Sequence, residues 1–195
     1  MIEDGDKFIM EKIPDFTHER NLQKFNYQYK ISDNLLVGKA DLNFSGETKT
    51  EFLRYLGNNR NSTAGEDLKD YYNSMNENLS VKQVNAESVI DRNKDVKLQY
   101  DFELKNSVIK GSNNDVLIFL NKDQEMGKLI FDSTRVSDYN FHSKYYIQSQ
   151  SKLEIPKGFG VSSLPAEFKK ETSNYSFDLK YVQTQNLITL NKEIK

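Results

Sequence analysis

Five alternate residues, Val96, Leu98, Tyr100, Phe102 and Leu104, are large and apolar, and every residue between them is polar or charged. A side-chain period of two puts all five on one face of a strand, which a helix cannot do. A chain built around such a segment is committed to a sheet with one buried face. The same alternation recurs at Phe25, Tyr27, Tyr29 and Ile31, separated by Asn26, Gln28 and Lys30. Ser32-Asp33-Asn34 then supplies turn chemistry, because short polar side chains bond locally to the backbone and tolerate left-handed conformations. A hairpin is predicted, its second arm running from Leu36 to Phe44 with Leu36, Gly38, Ala40, Leu42 and Phe44 on one face. Small Gly38 and Ala40 imply that something packs close to this arm.

After Ser45-Gly46 the period changes. Phe52, Leu53 and Leu56, with Thr48 or Lys49 near the start and Gly57 at the end, predict a short amphipathic helix near 47–57. Thr63 and Glu66 have capping-box spacing, and Leu68, Tyr71, Tyr72 and Met75 follow at i, i+3, i+4 and i+7, which predicts a second helix near 63–77. Strand patterning resumes at Leu79, Val81 and Val84, and Val116 to Leu120 is an apolar run of strand length after the turn Gly111-Ser112-Asn113-Asn114. A second series follows: Tyr145, Ile147, Ser149, Ser151, Leu153 and Ile155 lead to the turn Pro156-Lys157-Gly158, then Tyr175, Phe177, Leu179 and Tyr181 alternate, then Leu187, Ile188 and Leu190.

The expected fold class is mainly β with a short helical pair (α+β), an antiparallel β-sandwich-like domain followed by a smaller antiparallel β domain. The expected division is 1–20 as a linker or N-terminal extension, 21–127 as a β domain with the two inserted helices, and 128–195 as the small C-terminal β domain. The polar stretch Asn121 to Gly127 has the composition of the connection. Strand 187–191 is expected at a sheet edge, open to strand pairing.

Composition narrows the chemistry. Lys and Arg number 27 against 29 Asp and Glu, so the formal charge of -2 offers no global electrostatic case for nucleic acid. Twelve Phe and 11 Tyr are too many for a disordered polymer. With no Cys there is no disulfide, no thiolate metal ligand and no cysteine nucleophile in the chain. His18 and His142 read as surface residues without a partner at helical spacing, so neither a metal nor a cofactor is expected. Val116 to Leu120 is a quarter of the roughly 20 apolar residues a membrane helix needs, so no membrane insertion is expected. Acidic Glu3, Asp4 and Asp6 stand where an export signal would be basic and then apolar.

The candidate acids are Glu66, Asp67 and Asp70, the last two on one helix face, and they read as a solvated surface beside Lys69. A hydrolase using them would require a desolvated cleft. Asp91 to Asp95 reads as a charged turn. Gly158-Phe159-Gly160 lacks the third glycine and the following helix of a dinucleotide loop, and Ser162 and Ser163 lack the flanking glycines of a nucleophile elbow. Lys169-Lys170 is balanced by Glu167 and Glu171 and makes no basic stripe. Most aromatics fall on the buried alternate positions; Tyr72, Tyr139 and Tyr146 do not, and they are the candidate interaction surface.

The order of elements, together with particular segments, resembles the region that follows the catalytic core in large bacterial transglutaminase-like proteins. The segments are Lys12-Ile13-Pro14 as an exit from an upstream core, Gly38 with Ser45-Gly46, Arg54, the helix bearing Glu66-Asp67, and the strand Leu98-Gln99-Tyr100-Asp101-Phe102. They continue with Arg135, Asp138-Tyr139, Leu153-Glu154-Ile155-Pro156-Lys157-Gly158 and Ser163-Leu164-Pro165. The family's catalytic Cys, His and Asp have no counterparts here, so the resemblance implies no enzyme activity for this chain, though a larger parent could be an enzyme. It implies a noncatalytic accessory region that supports a papain-like core or positions a protein substrate, with an upstream transglutaminase-like domain as partner in the same polypeptide. It also implies a periplasmic or cell-surface location. The alternative drawn from the residues is a free-standing carbohydrate- or peptide-binding β module.

Overall fold

The structure, a computed structural model, describes residues 2–4, 7–9, 17–57, 64–89, 91, 93–112, 115–120 and 143–195. Its first strands, β1 (Ile2–Asp4) and β2 (Lys7–Ile9), pair with each other in a two-stranded sheet. A 3-10 turn at His18–Asn21 leads into β3 (Leu22–Ser32) and β4 (Leu35–Phe44), then α1 (Gly46–Gly57) and α2 (Ala64–Met75). β5 (Leu79–Glu87), β6 (Val96–Leu104), β7 (Val108–Lys110) and β8 (Val116–Ile118) follow, then β9 (Tyr146–Glu154), β10 (Phe168–Glu171), β11 (Ser176–Gln183) and β12 (Leu187–Ile194).

Eight strands form one sheet in the order β10-β11-β12-β9-β3-β4-β6-β5, and β7 with β8 forms a separate hairpin. The expected mainly β class with a helical pair is what folds. The two strand series that flank residues 121–127 share this sheet, because β9 pairs with β3; the stretch 121–127 itself lies outside the described residues. Every neighbouring pair in the sheet is antiparallel except β3 and β9, which run parallel with Tyr27 beside Ser151. The antiparallel expectation therefore holds within each series and fails at their junction. A period-two pattern says which face a residue takes and nothing about strand direction.

Register assembles the apolar face in rows. Ser149, Phe25, Leu42 and Leu98 align across four strands, then Ser151, Tyr27, Ala40 and Tyr100, then Leu153, Tyr29, Gly38 and Phe102. The small residues on β4 now have a reason. Over Ala40, Tyr27 donates its hydroxyl hydrogen to Tyr100. Over Gly38, the Tyr29 and Phe102 rings meet edge to face at 5.3 Å. At Gly38 an added Cβ would overlap the Gln28 backbone carbonyl and crowd the Phe102 ring.

The helices close this face over β3 to β5. Phe52 of α1 stacks on Phe44 at 4.8 Å, Leu68 of α2 is fully buried, and Tyr72 lies 5.2 Å from Tyr100. Leu36, Val81, Val96 and Leu98 are completely buried beneath. α1 starts at Gly46, one residue before the predicted bound of 47, because its cap comes from far upstream. Asn21 Oδ1 accepts the Glu47 N–H at 2.9 Å, and Gly46 adopts a φ of 59°. Such a cap satisfies one of the orphan amides of the first turn. The predicted cap of α2, Thr63, lies outside the described residues.

One buried charge ties α1 to the loop between β5 and β6. Lys49 is 8% exposed, and its ammonium donates to the backbone carbonyls of Asp91, at 3.2 Å, and Lys94. The charged turn expected at 91–95 is therefore anchored from beneath. Removing the ammonium strands its acceptors, so Lys49→Met is expected to lower the unfolding free energy by about 2 kcal/mol. Urea unfolding measures this; a cost under about 0.5 kcal/mol would contradict the anchoring role.

Strand 187–191, expected at an edge, is interior. β12 pairs with β11 along one side and with β9 along the other, so neither side is open. The outermost strands are β5 and β10. β5 is interrupted by a bulge between Lys82 and Asn85, where Gln83 has a φ of 49°, and the Val81 N–H is accepted by Asn73 of α2 at 2.7 Å. Bulges and covering helices are the usual protections of an edge strand. Among the described residues, β10 has only β11 beside it.

Candidate interaction surface

The three tyrosines do not gather. Tyr72 sits over the apolar face, where its ring is tilted against Tyr100 and meets Tyr71 edge to face. Tyr146 lies on the opposite, polar face, so the sheet separates them. Tyr139 is outside the described residues, as are His142, Arg135 to Asp138 and Lys12 to Pro14.

Tyr146 belongs to a polar cluster at the start of β9. Its hydroxyl donates to Glu193 Oε1 of β12 and accepts from Gln148 Nε2 at 2.6 Å. His18 meets its ring edge-on at 5.1 Å and reaches Glu19 at 3.1 Å, while Lys195 lies over the ring at 5.2 Å and 3.4 Å from Glu193. The hydrogen bond from Tyr146 holds the Glu193 carboxyl below its ordinary range, assisted by Gln148 and Lys195. Burial, and then Glu193, pushes the Tyr146 phenol up. The sequence signal for this cluster was the polar position of Tyr146; the partners 45 or more residues away carried none.

The rest of the polar face is a lattice of short-range pairs. One register row holds Lys180, Asn191, Gln150, Asn26, Asp41, Gln99 and Asn85. Within it Gln150 donates to Asn191 at 3.0 Å and Gln99 to Asp41 at 2.7 Å. An open groove of about 630 Å³ crosses this face beside Gln28, Lys39, Lys82, Asp101, Lys152 and Glu154. The acids around it are matched to lysines, Glu154 to Lys30 at 2.9 Å, Asp101 to Lys39 at 3.8 Å and Glu103 to Lys82 at 2.6 Å. These are exposed pairs on a sheet surface, where solvent screens their attraction.

The helix acids are similarly open. Glu66 and Asp70 are exposed on α2, and the side chain of Asp67 is not among those described. Ser162 and Ser163 are exposed in the irregular stretch between β9 and β10, and Gly158 with a φ of 89° makes the predicted turn, closed by the Phe159 N–H donating to the Pro156 carbonyl at 3.1 Å. Among the described residues no three His, Asp or Glu converge as metal ligands would. Among the described residues no helix is long and apolar enough to cross a membrane.

The other end of the sheet was not legible in the sequence. Phe168-Lys169-Lys170-Glu171 has no alternation that marks a strand, yet it pairs with β11, Phe168 beside Leu179 and Lys170 beside Phe177. Pairing with an already formed neighbour makes this strand. Phe168 is 53% exposed and touches Phe177 at 5.7 Å, while Tyr175 is 45% exposed with Lys170 6.0 Å above its ring. Lys169-Lys170, read from sequence as a balanced surface pair, thus stands on a sheet edge beside exposed aromatics.

Compared with protein-family models, with curated proteins and with solved structures, the chain matches none.

Proposed function

We propose that this chain is a noncatalytic interaction region that takes an extended protein segment at the β10 end of its sheet. The observation that carries the reading is a strand that is outermost among the described residues, with exposed Phe168 in it and exposed Tyr175 close by. An edge strand presents unpaired N–H and C=O groups, which strand addition uses for affinity while side-chain contacts set selectivity. The noncatalytic half of the reading is supported by the setting of the carboxylates. Those around the polar groove are paired with lysines on an open surface, whereas general acid-base work calls for a desolvated cleft. The resemblance to the region behind a transglutaminase-like core names one source for the segment, the core of the same polypeptide.

A second reading, binding of carbohydrate on the polar face, is favoured by the groove beside Gln28, Lys39 and Lys152. The two separate in one experiment. The full chain, labelled with nitrogen-15, is titrated with extended peptides and with neutral oligosaccharides while amide shifts are followed. Shifts at 168–183 with peptide are the expected result. Shifts around Gln28, Lys39 and Lys152 with oligosaccharide, and none with peptide, would replace the first reading with the second.

A further inference from the structure

We infer that the segment taken up beside β10 is the same edge of a second copy of this chain, an inference that rests on the edge-docking reading above. The direction of the backbone groups follows from the neighbouring strands. The Ser176 N–H donates to the Lys195 carbonyl at 2.8 Å and the Ser176 carbonyl accepts from the Lys195 N–H at 2.9 Å, so Ser176 points toward β12. Alternation then turns Phe177 and Leu179 toward β10, where they pair with Lys170 and Phe168. Thr172 keeps the same phase, its N–H donating to the Tyr175 carbonyl at 2.8 Å. The N–H and C=O groups of Phe168 and Lys170 are thus directed at β11, and those of Lys169 and Glu171 point away from it. Glu167 continues the outward phase just before the strand and stays alongside β11, 3.9 Å from Lys180.

The outward-pointing residues carry both signs in alternation. On the polar face Glu167, Lys169 and Glu171 follow one another, and β11 sets Lys180 beside Glu167 and Asp178 beside Lys169. A further strand continues this alternation when it puts a cation opposite Glu167 and an anion opposite Lys169. Residues 169 and 167 of an antiparallel second copy are such a pair. With a twofold axis at Phe168, Glu167 of each copy meets Lys169 of the other, through main-chain bonds as well as charge. The two exposed Phe168 rings then meet at the non-hydrogen-bonded position, where opposed side chains approach most closely, and Lys170 lies opposite Ala166. The neighbouring registers are rejected by like charges. An axis at Lys169 or Lys170 opposes that lysine to itself, and an axis at Glu167 opposes two glutamates. Pro165 has no N–H to donate and ends the ladder, so the interface is short and of the weak, reversible class.

The test uses the full chain at low salt, by sedimentation equilibrium up to millimolar protein, with concentration-dependent amide shifts locating the contact. A monomer–dimer equilibrium with a dissociation constant on the order of 100 μM is expected, its shifts centred on 166–171. Glu167→Lys sets lysine against Lys169 of the second copy at both pairs, and Lys169→Glu sets glutamate against Glu167, so each variant alone should dimerise about tenfold more weakly. An equimolar mixture of the two variants puts opposite charges back at both pairs and should regain the affinity of the unaltered chain. That rescue separates a paired edge from a variant that has merely lost its fold. Weak association by the mixture as well would overturn the register, and concentration-dependent shifts at the exposed Ile109, Leu117 and Phe119 instead would overturn β10 as the self-association edge. A chain that stays monomeric throughout, yet shows shifts at 168–183 with the extended peptides, would overturn the second copy as partner while leaving edge docking intact. Monomer and no peptide shifts would overturn both.

Discussion

Gly38→Ala is expected to destabilise the fold by about 3 kcal/mol or more, although it adds a single methyl group. A Cβ at this position would overlap the backbone carbonyl oxygen of Gln28 on the paired strand and stand 3.0 Å from Cζ of Phe102. The ring end can shift; the carbonyl belongs to β3 and cannot move without disturbing its pairing with β4 and β9. The cost is therefore strain at the centre of the sheet, where Tyr29 and Phe102 close over the glycine. Urea unfolding followed by far-ultraviolet circular dichroism reads it. Ala40→Gly, the next position on the same face, serves as the comparison and should cost about 1 kcal/mol through chain entropy. If Gly38→Ala proved as mild as that, the close approach of the two strands would not be as described.

Alkaline pH is expected to destabilise the protein progressively from about pH 10 upward, as its buried phenols are drawn to ionise. Burial raises the phenols of Tyr27 and Tyr29 well above their ordinary range, and raises Tyr100 to about 12. Ser151 donates to Tyr29 and Tyr27 to Tyr100, which moderates the rise without reversing it. A phenol whose pKa is higher when folded than when unfolded stabilises the native state fully below the unfolded value near 10. That contribution is lost as pH climbs toward the folded value, because the unfolded chain releases the proton first. For Tyr100 alone the two-unit rise corresponds to about 3 kcal/mol. The measurement is unfolding free energy against pH from 8 to 12, with phenolate absorbance near 295 nm followed in parallel. Tyr100→Phe should flatten the fall. A native protein whose tyrosines all titrate near pH 10 would contradict the buried hydroxyl network.

These two effects meet at neighbouring rows of the sheet, and both rows were partly visible beforehand. The alternation at Phe25 to Ile31 and at Val96 to Leu104 placed Tyr27, Tyr29, Tyr100 and Phe102 on a buried face, and small Gly38 and Ala40 pointed to close packing. The pairing that puts Gly38 between Tyr29 and Phe102, and Ala40 between Tyr27 and Tyr100, depends on strand order, which alternation does not encode. The candidate surface was less legible. Tyr146 was visible as an aromatic on a polar position, whereas Glu193, His18 and Lys195 reach it only through folding. β10 left no local trace, since its four residues become a strand only when β11 presents a ladder to pair with.

By itself, then, the sequence determined which faces are buried, where the main hairpin turns at Asp33-Asn34, and that two short helices interrupt the strands. Those are properties of local periodicity and turn chemistry, and they act over a few residues. Tertiary structure alone decided that β9 runs parallel to β3, that β12 is interior, that Asn21 caps α1, and that Lys169 and Lys170 stand on the outermost described strand. Each of these joins residues far apart in the chain. Contacts of that kind are selected by the packing of the whole sheet, because the local pattern is equally satisfied by more than one arrangement of the same strands.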